Sequence, residues 1–247
     1  MKVSVITVVL NCAAYIASCI DSIVKQKHKE IEYIIIDGNS TDGTVSIINT
    51  YALNVHCFVS EPDNGFYSAL NRGINMATGD VIGILNADDV LADADVIATI
   101  VENFKNNSCD AVYGNLNYTH RNDLNQVIRI WRSSSYRRNA IKYGWMPPHP
   151  TIYIRKEIYL KHGTYSMDYG HSSDYELILR FFYKHQINTV YVDRLFVKMR
   201  VGGISNSSYK QLFKACSADY KAMIFNNVPL PVVAVVAKKL RKLEQYF

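Results

Sequence analysis

The sequence predicts an α/β fold in which a mostly parallel central sheet is flanked by helices and followed by a helical C-terminal extension. Three observations carry this. Val3 to Leu10, Tyr33 to Ile36, Val55 to Val59 and Val81 to Leu85 are short apolar, β-branched runs, the mark of strands buried on both faces. The segments between them place apolar residues at helical spacing. The resulting β-α-β-α-β-α-β order implies right-handed crossovers between parallel strands.

Taken in order, Val3 to Leu10 is the first strand, and Asn11 is placed to cap a helix carrying Ile16, Cys19, Ile20, Ile23 and Val24 on one face. Tyr33 to Ile36 ends at Asp37-Gly38. Ser40-Thr41-Asp42-Gly43 makes a turn, and Val45 to Tyr51 a second helix. After the third strand, Phe66, Ala69, Leu70, Gly73, Ile74 and Ala77 mark a third helix, which Thr78-Gly79 ends before the fourth strand. The second half is less regular. Ala111 to Tyr118, Gln126 to Trp131, Thr151 to Ile154 and Thr189 to Val192 read as strands. Tyr136 to Tyr143 is ambiguous, and Met146 to Pro150 forbids regular structure. Helices are expected from about Asp174 to Lys184 and over Tyr209 to Phe225, the latter with Leu212, Phe213, Cys216, Tyr220, Met223 and Ile224 inward.

A chain of 247 residues suits one large domain, or a domain with a tail. Its 49% apolar and 20% charged content is that of a folded globular protein. The net charge of +5 permits anionic partners without selecting one. Five scattered cysteines form no Cys-x-x-Cys and no zinc-spaced group with His, so they are expected to be reduced core residues of a cytoplasmic protein. The N-terminus runs straight into a strand, which reads as no signal peptide. No apolar run approaches the ~20 residues that span a bilayer.

Ligands of open parallel sheets bind beyond the carboxyl ends of the strands. Here each end delivers polar groups: Asn11, then Asp37, then Glu61 and Asp63, then Asn86, Asp88 and Asp89. Adjacent acids repel unless a cation shares them, as a divalent metal carrying a nucleoside diphosphate would. Alternatively, Asp89 caps a helix starting near Val90. The first turn, Asn11-Cys12-Ala13-Ala14-Tyr15, lacks glycine, which excludes the Gly-x-Gly-x-x-Gly approach of a pyrophosphate to the backbone, and no Walker loop is present. Phosphates would therefore be neutralised by metal or by basic side chains. Arg72, in a polar stripe with Ser68, Asn71 and Asn75, precedes the acid pair by one crossover and is placed to reach a diphosphate.

These residues resemble the inverting GT-A glycosyltransferases of family 2, the nucleotide-sugar enzymes of bacterial polysaccharide assembly. The likeness runs through Val5 to Asn11, Ile36 to Thr44, Ser60 to Tyr67, Asn71-Arg72-Gly73-Ile74 and Leu85 to Asp89. Ser173-Asp174-Tyr175-Glu176-Leu177 with Arg180, and Gly202-Gly203-Ile204-Ser205, are weaker matches. The resemblance implies a Rossmann-like GT-A domain. Residues 1–110 would form its nucleotide-sugar half and 111–206 its acceptor half, with 207–247 as the extension. Thr7, Asn11, Asp37 and Asp63 would lie at the nucleoside, Arg72 near the diphosphate, and Asn86 and Ala87 in the Asp-x-Asp position. Asp88, with Asp89, would hold Mn²⁺ or Mg²⁺. Asn86 replaces the first acid of the strict motif. Asp174 would be the general base, with His149 and Glu176 as candidate acceptor contacts. The donor would be a nucleoside diphosphate sugar, UDP before GDP or dTDP. The acceptor would be a glycan or lipid-linked saccharide, with no nucleic-acid partner.

Ser173-x-x-Glu176 also reads as a capping box that would put Asp174 in the first helical turn whether or not it catalyses. Two other functions compete. A sugar-nucleotide nucleotidyltransferase would want a Gly- and Arg/Lys-rich first loop, which is absent. A non-catalytic module would bind a nucleoside diphosphate without transfer or hydrolysis. After Pro229-Leu230-Pro231, the tail Val232 to Leu243 reads as a helix with Val232, Val236, Leu240, Leu243 and Phe247 on one side. It either docks on the domain or lies in a membrane interface at the inner face of the cytoplasmic membrane, its Lys and Arg on anionic headgroups.

Overall fold

In the computed structural model, which describes residues 1–202, 209–242 and 245, nine strands form one sheet. The first half alternates β1 (Val3–Val9), α1 (Ile16–Val24), β2 (Ile31–Asp37), α2 (Thr44–Thr50), β3 (Cys57–Ser60), α3 (Phe66–Met76) and β4 (Val81–Ile84). These strands lie parallel in the order β3-β2-β1-β4, as the alternation predicts. Beyond β4 come β5 (Val90–Leu91), α4 (Val96–Asn106), β6 (Ala111–His120), β7 (Asp123–Trp131), β8 (Tyr153–Arg155), α5 (Lys156–His162), α6 (Ser173–Ile178), β9 (Thr189–Arg200), α7 (Tyr209–Phe225) and α8 (Pro231–Leu240). The sheet continues as β8-β6-β9-β5, with β7 on β6. β8 is antiparallel to both neighbours, and β6 pairs with β9 in parallel.

Both faces of the sheet are covered, which is why β1 reads as a continuous apolar run. Ile6, Val8, Ile34 and Ile36 pack with Leu70 and Ile74 of α3 and with Phe181 and Phe182. Val3, Val5, Val9, Tyr33 and Ile35 pack with Ile16, Ile20 and Ile23 of α1 and Ile97 and Ile100 of α4. Thr7 shares this second face. It is fully buried, donates to the Leu85 carbonyl at 2.8 Å and accepts from the Tyr33 hydroxyl at 3.1 Å, so its side chain is part of the core.

The structure corrects several boundaries. Asn11 caps nothing: α1 starts at Ile16 after Tyr15, with no side-chain cap. The helix expected near Val90 begins at Val96, after a short strand. The β9 strand runs eight residues past Val192, because its inserted charges are answered laterally. Asp193 accepts from Asn115 and pairs with Arg132, while Arg194 pairs with Asp93. After Ile178 the helix continues as a π-turn, Leu179–Lys184. On α7, Asp219, Ala222 and Met223 face inward, as does Asn226 just past its end, whereas Tyr220 and Ile224 face solvent. All five cysteines are unpaired. No helix among the described residues is long and apolar enough to cross a membrane.

Candidate active site

The turn Asn86–Asp89 leads from β4 into β5, and its two acids are treated differently. Asp89 is fully buried. One carboxylate oxygen accepts the Arg200 backbone N–H at 3.1 Å, and the other accepts the Asn86 amide at 2.8 Å. Burial first, and then the Asp88 charge, push its carboxyl well above the ordinary range. Asp89 is thus not a helix cap: its two oxygens hold β9 and Asn86 against the turn. Asn86 is spent on Asp89, and Ala87 is buried. Asp88 is half-buried, and among the described residues no hydrogen bond reaches its carboxylate. Burial, then the charges of Asp88 and Asp42, push the Cys12 thiol in the turn after β1 up to about 11.

Arg200 locks this corner and was not anticipated from the sequence. It is nearly buried. Its guanidinium donates to the Asp88 carbonyl, to the Arg121 carbonyl at 3.1 Å and to Ser18 Oγ at 3.1 Å, while stacking over the Tyr15 ring. It stands two residues before Gly202 of the late motif, a signal that points to it. Gly203, Ile204 and Ser205 lie outside the described residues.

The ends of β1, β2 and β3 are stitched into one rim. Asn11 adopts φ 50°, its N–H donates to Ser40 Oγ at 2.8 Å, and its side chain accepts Thr41 N–H at 2.9 Å. Asp37 is fully buried. It accepts the Ser40 N–H at 3.0 Å, the Ser40 hydroxyl, and the Ser60 hydroxyl at 2.6 Å. Its carboxylate therefore fixes the loops of the rim. Asp63 is exposed, accepts Gly65 N–H at 2.8 Å and lies against Gly38, where an added Cβ would come within 2.9 Å of Oδ2. Arg72 does not stand free: it pairs with Glu61 at the end of β3, so an incoming diphosphate would compete with that carboxylate.

A second group of side chains approaches from the other half. Asp174 lies in the first turn of α6, where its carboxylate accepts Tyr175 N–H at 2.7 Å. The capping box does not form: Ser173 Oγ donates to the Gly170 carbonyl, and Glu176 points inward. Glu176 is 1% exposed, is gripped by Arg180 at 3.1 Å and accepts from Asn226 at 3.3 Å. This pairing gives Glu176 a structural task inside the domain, tying α6 to Arg180 and Asn226. Around Asp174 stand His149, Tyr165 and Tyr67. His149 Nε2 and the Tyr165 hydroxyl are 2.6 Å apart, and the rings of Tyr67 and Tyr165 are 5.4 Å apart. Burial lowers the His149 pKa, opposed by the Asp174 charge; burial and the same charge raise the Tyr67 phenol. Asn71 clamps the Tyr165 backbone with two 2.8 Å bonds, N–H and C=O alike. Tyr67 and Asn71 belong to α3, the helix that carries Arg72. One helix thus ties the strand-end rim to the Asp174 cluster.

The profile of glycosyl transferase family 2 matches residues 4–167. The chain belongs to glycosyl transferase family 2. A PGL/p-HBAD biosynthesis glycosyltransferase of Mycobacterium bovis (strain BCG / Pasteur 1173P2) is 30% identical over 216 residues, covering 83% of this chain and 79% of that protein. S. aureus TarS 1–349 in complex with UDP superposes with a TM-score of 0.69 at 16% identity, covering 94% of this chain and 68% of that one. The mannosyltransferase PcManGT from Pyrobaculum calidifontis, in complex with GDP-Man and Mn²⁺, gives 0.66 at 18%, covering 96% and 68%. The fold is therefore that of the GT-A transferases, and the protein is a glycosyltransferase.

In this family 2 enzyme the structure brings Asn11, Asp37, Asp63 and the Asn86–Asp88 turn to one edge of the sheet. It sets Asp174 and His149 together across α3, and withdraws Thr7, Asp89 and Glu176 into the interior. Tyr67 and Asn71 lie within the motifs the sequence resemblance covers; Tyr165 carried no signal of its own, being placed only by the clamp from Asn71.

Proposed function

We propose that the enzyme moves a sugar, with inversion, from a nucleoside diphosphate sugar to a hydroxyl of a glycan or lipid-linked saccharide, with Asp174 as the general base. The observation that carries this is the bridging by α3, which sets the Asp174 cluster beside the edge where the four parallel strands end. An inverting transfer needs a base for the acceptor proton, stabilisation of the departing diphosphate, and reactants held in line. Asp174 suits the first need. Asp88 suits the second, through Mn²⁺ or Mg²⁺. Such ions take one or two protein carboxylates and complete their shell with substrate phosphates and water. Among the described residues no three His, Cys, Asp or Glu side chains converge, so the donor set fits a metal arriving with its diphosphate. When bound, the ion offsets charge on the leaving group. UDP is the first nucleotide to test, since the TarS structures carry UDP and UDP-GlcNAc, with GDP second after PcManGT.

The test is a screen of UDP-, GDP- and dTDP-sugars for saturable binding with Mn²⁺, followed by transfer and hydrolysis assays on each hit. Asp88→Asn is expected to lower turnover by about 10²-fold and to erase the response to Mn²⁺. Unchanged turnover with an unchanged Mn²⁺ response would reject the assignment. Binding of a nucleoside diphosphate with neither transfer nor hydrolysis would favour a non-catalytic module.

We also propose that the enzyme works at an anionic membrane surface. The tail docks and still presents an apolar face. Ala234 is buried, Lys238 pairs with Asp219 at 2.9 Å, and Gly144 allows α8 so close that a Cβ there would lie 2.1 Å from Lys238 N. Outward, Val232, Val233, Val236 and Leu240 are 46–63% exposed, beside Tyr220, Ile224 and Phe225 of α7. Residues 209–242 hold seven Lys and Arg against a single acid, Asp219, which Lys238 neutralises. An apolar stripe flanked by cations suits anionic headgroups. The protein is expected to sediment with phosphatidylserine vesicles and to be released when Val232 and Val236 are both changed to Ser. Equal recovery in the supernatant with and without vesicles would sink this.

A further inference from the structure

Away from the strand-end rim, two adjoining cavities of about 280 and 470 Å³ open between the end of β7, the 3₁₀ turn Arg138–Tyr143 and α8. They share Arg132, Ser133, Ser134, Trp145 and Arg241. Their joint space falls in the roughly 300–1,000 Å³ range of small-molecule sites. Three features of the lining converge on one kind of ligand.

The first is charge. Arg132 is neutralised by Asp193 and Lys238 by Asp219. Arg241 uses its Nε on the Tyr143 carbonyl, and neither it nor Lys242 has a carboxylate partner among the described residues. Two cations thus stand at one wall with no carboxylate on them among the described residues. The second is a pair of orphaned polar atoms. Ser133 Oγ and Gln245 Oε1 are buried with no hydrogen-bond partner among the described residues, a costly state unless a ligand or water answers them. Gln245 Oε1 can only accept, so it calls for a hydroxyl or another donor, which a sugar supplies. The third is aromatic: Trp131 and Trp145 line the smaller cavity. Trp145, 6% exposed and packed against Tyr113, Tyr136 and Phe182, makes that lining a fixed apolar wall beside hydrogen-bonding groups, which suits the C–H surface of a pyranose ring.

We infer that this cavity binds an anionic saccharide, a sugar bearing a phosphate or a carboxylate, as an outer part of the acceptor. The acceptor role rests on the glycosyl-transfer reading; the binding itself does not. The connection is direct, since Trp145-Met146 in the cavity wall runs through Pro147-Pro148 into His149 of the Asp174 cluster.

Calorimetric titration of the full chain with glucose 1-phosphate, glucuronic acid, glucose and inorganic phosphate tests it, each with and without saturating UDP and Mn²⁺. At least one charged sugar is expected to bind saturably, unaffected by UDP, about tenfold more tightly than glucose or phosphate alone. Lys242→Gln, at an exposed position on α8's end, is expected to weaken that binding about fivefold and leave UDP binding unchanged. Failure of both charged sugars, displacement by UDP, equal affinity for inorganic phosphate, or an unaltered affinity in Lys242→Gln would each overturn the inference. If the charged sugar binds but no nucleotide sugar does, the cavity stands and the transferase reading of the rim fails.

Discussion

Asp174→Asn is expected to lower turnover by about 10²–10⁴-fold, the usual contribution of a positioned general base, while donor affinity stays within twofold of the parent. The substitution is nearly isosteric, and an Asn oxygen can still accept the Tyr175 N–H that Asp174 now holds at 2.7 Å. The favourable interaction of a carboxylate with the start of α6 is lost, at a cost of about 0.3–1 kcal/mol, too little to unfold the domain. What disappears is the capacity to take a proton. No neighbour replaces it in kind: the Tyr67 phenol is raised by burial and by the Asp174 charge, and His149 is engaged with the Tyr165 hydroxyl. The decisive measurement is single-turnover transfer at saturating donor, with thermal unfolding run in parallel. Near-parental turnover in a folded variant would remove Asp174 from the chemistry and leave it as a helix-start residue.

Glu176→Gln should cause the largest loss of stability, about 3–5 kcal/mol, because it strips a buried cation of its partner. Glu176 is 1% exposed and Arg180 11% on the side chain, so water cannot stand in for the missing charge. The damage should spread toward the site. Arg180 also donates to the carbonyls of His162, Gly163 and Thr164, the residues that lead into Tyr165. Urea unfolding reads the loss directly. A stable Glu176→Gln variant with a raised KM for acceptor would instead restore the acceptor contact that the sequence suggested for this residue.

The parallel half of the fold was legible because its strands are buried on both faces. Two-sided burial writes continuous β-branched runs, and helical crossovers write apolar residues three and four apart. The α4 helix was equally legible, with Val96, Ile97, Ile100, Val101 and Phe104 all buried, yet it lies just past the acidic corner that drew the reading. The full length of β9 was not legible, since Asp193 and Arg194 break its apolar pattern and find their partners just past β7 and in the 93–99 segment. Acids at strand ends were found as residues but not sorted by role. Asp88 and Asp89 are neighbours in sequence, and only the packing of β9 against the turn buries one and leaves the other at the surface.

The sequence by itself determined the family, the parallel core and the set of polar residues at the strand ends, because each is written in local pattern or in motif spacing. Only the tertiary structure decided which of those residues remain free to act. It withdrew Thr7, Asp89 and Glu176 into hydrogen bonds and an ion pair, and gathered His149, Tyr165 and Asp174 around Tyr67, which lies about a hundred residues earlier in the chain. Burial and partnership are set by long-range contacts, and a carboxylate's chemistry depends on both.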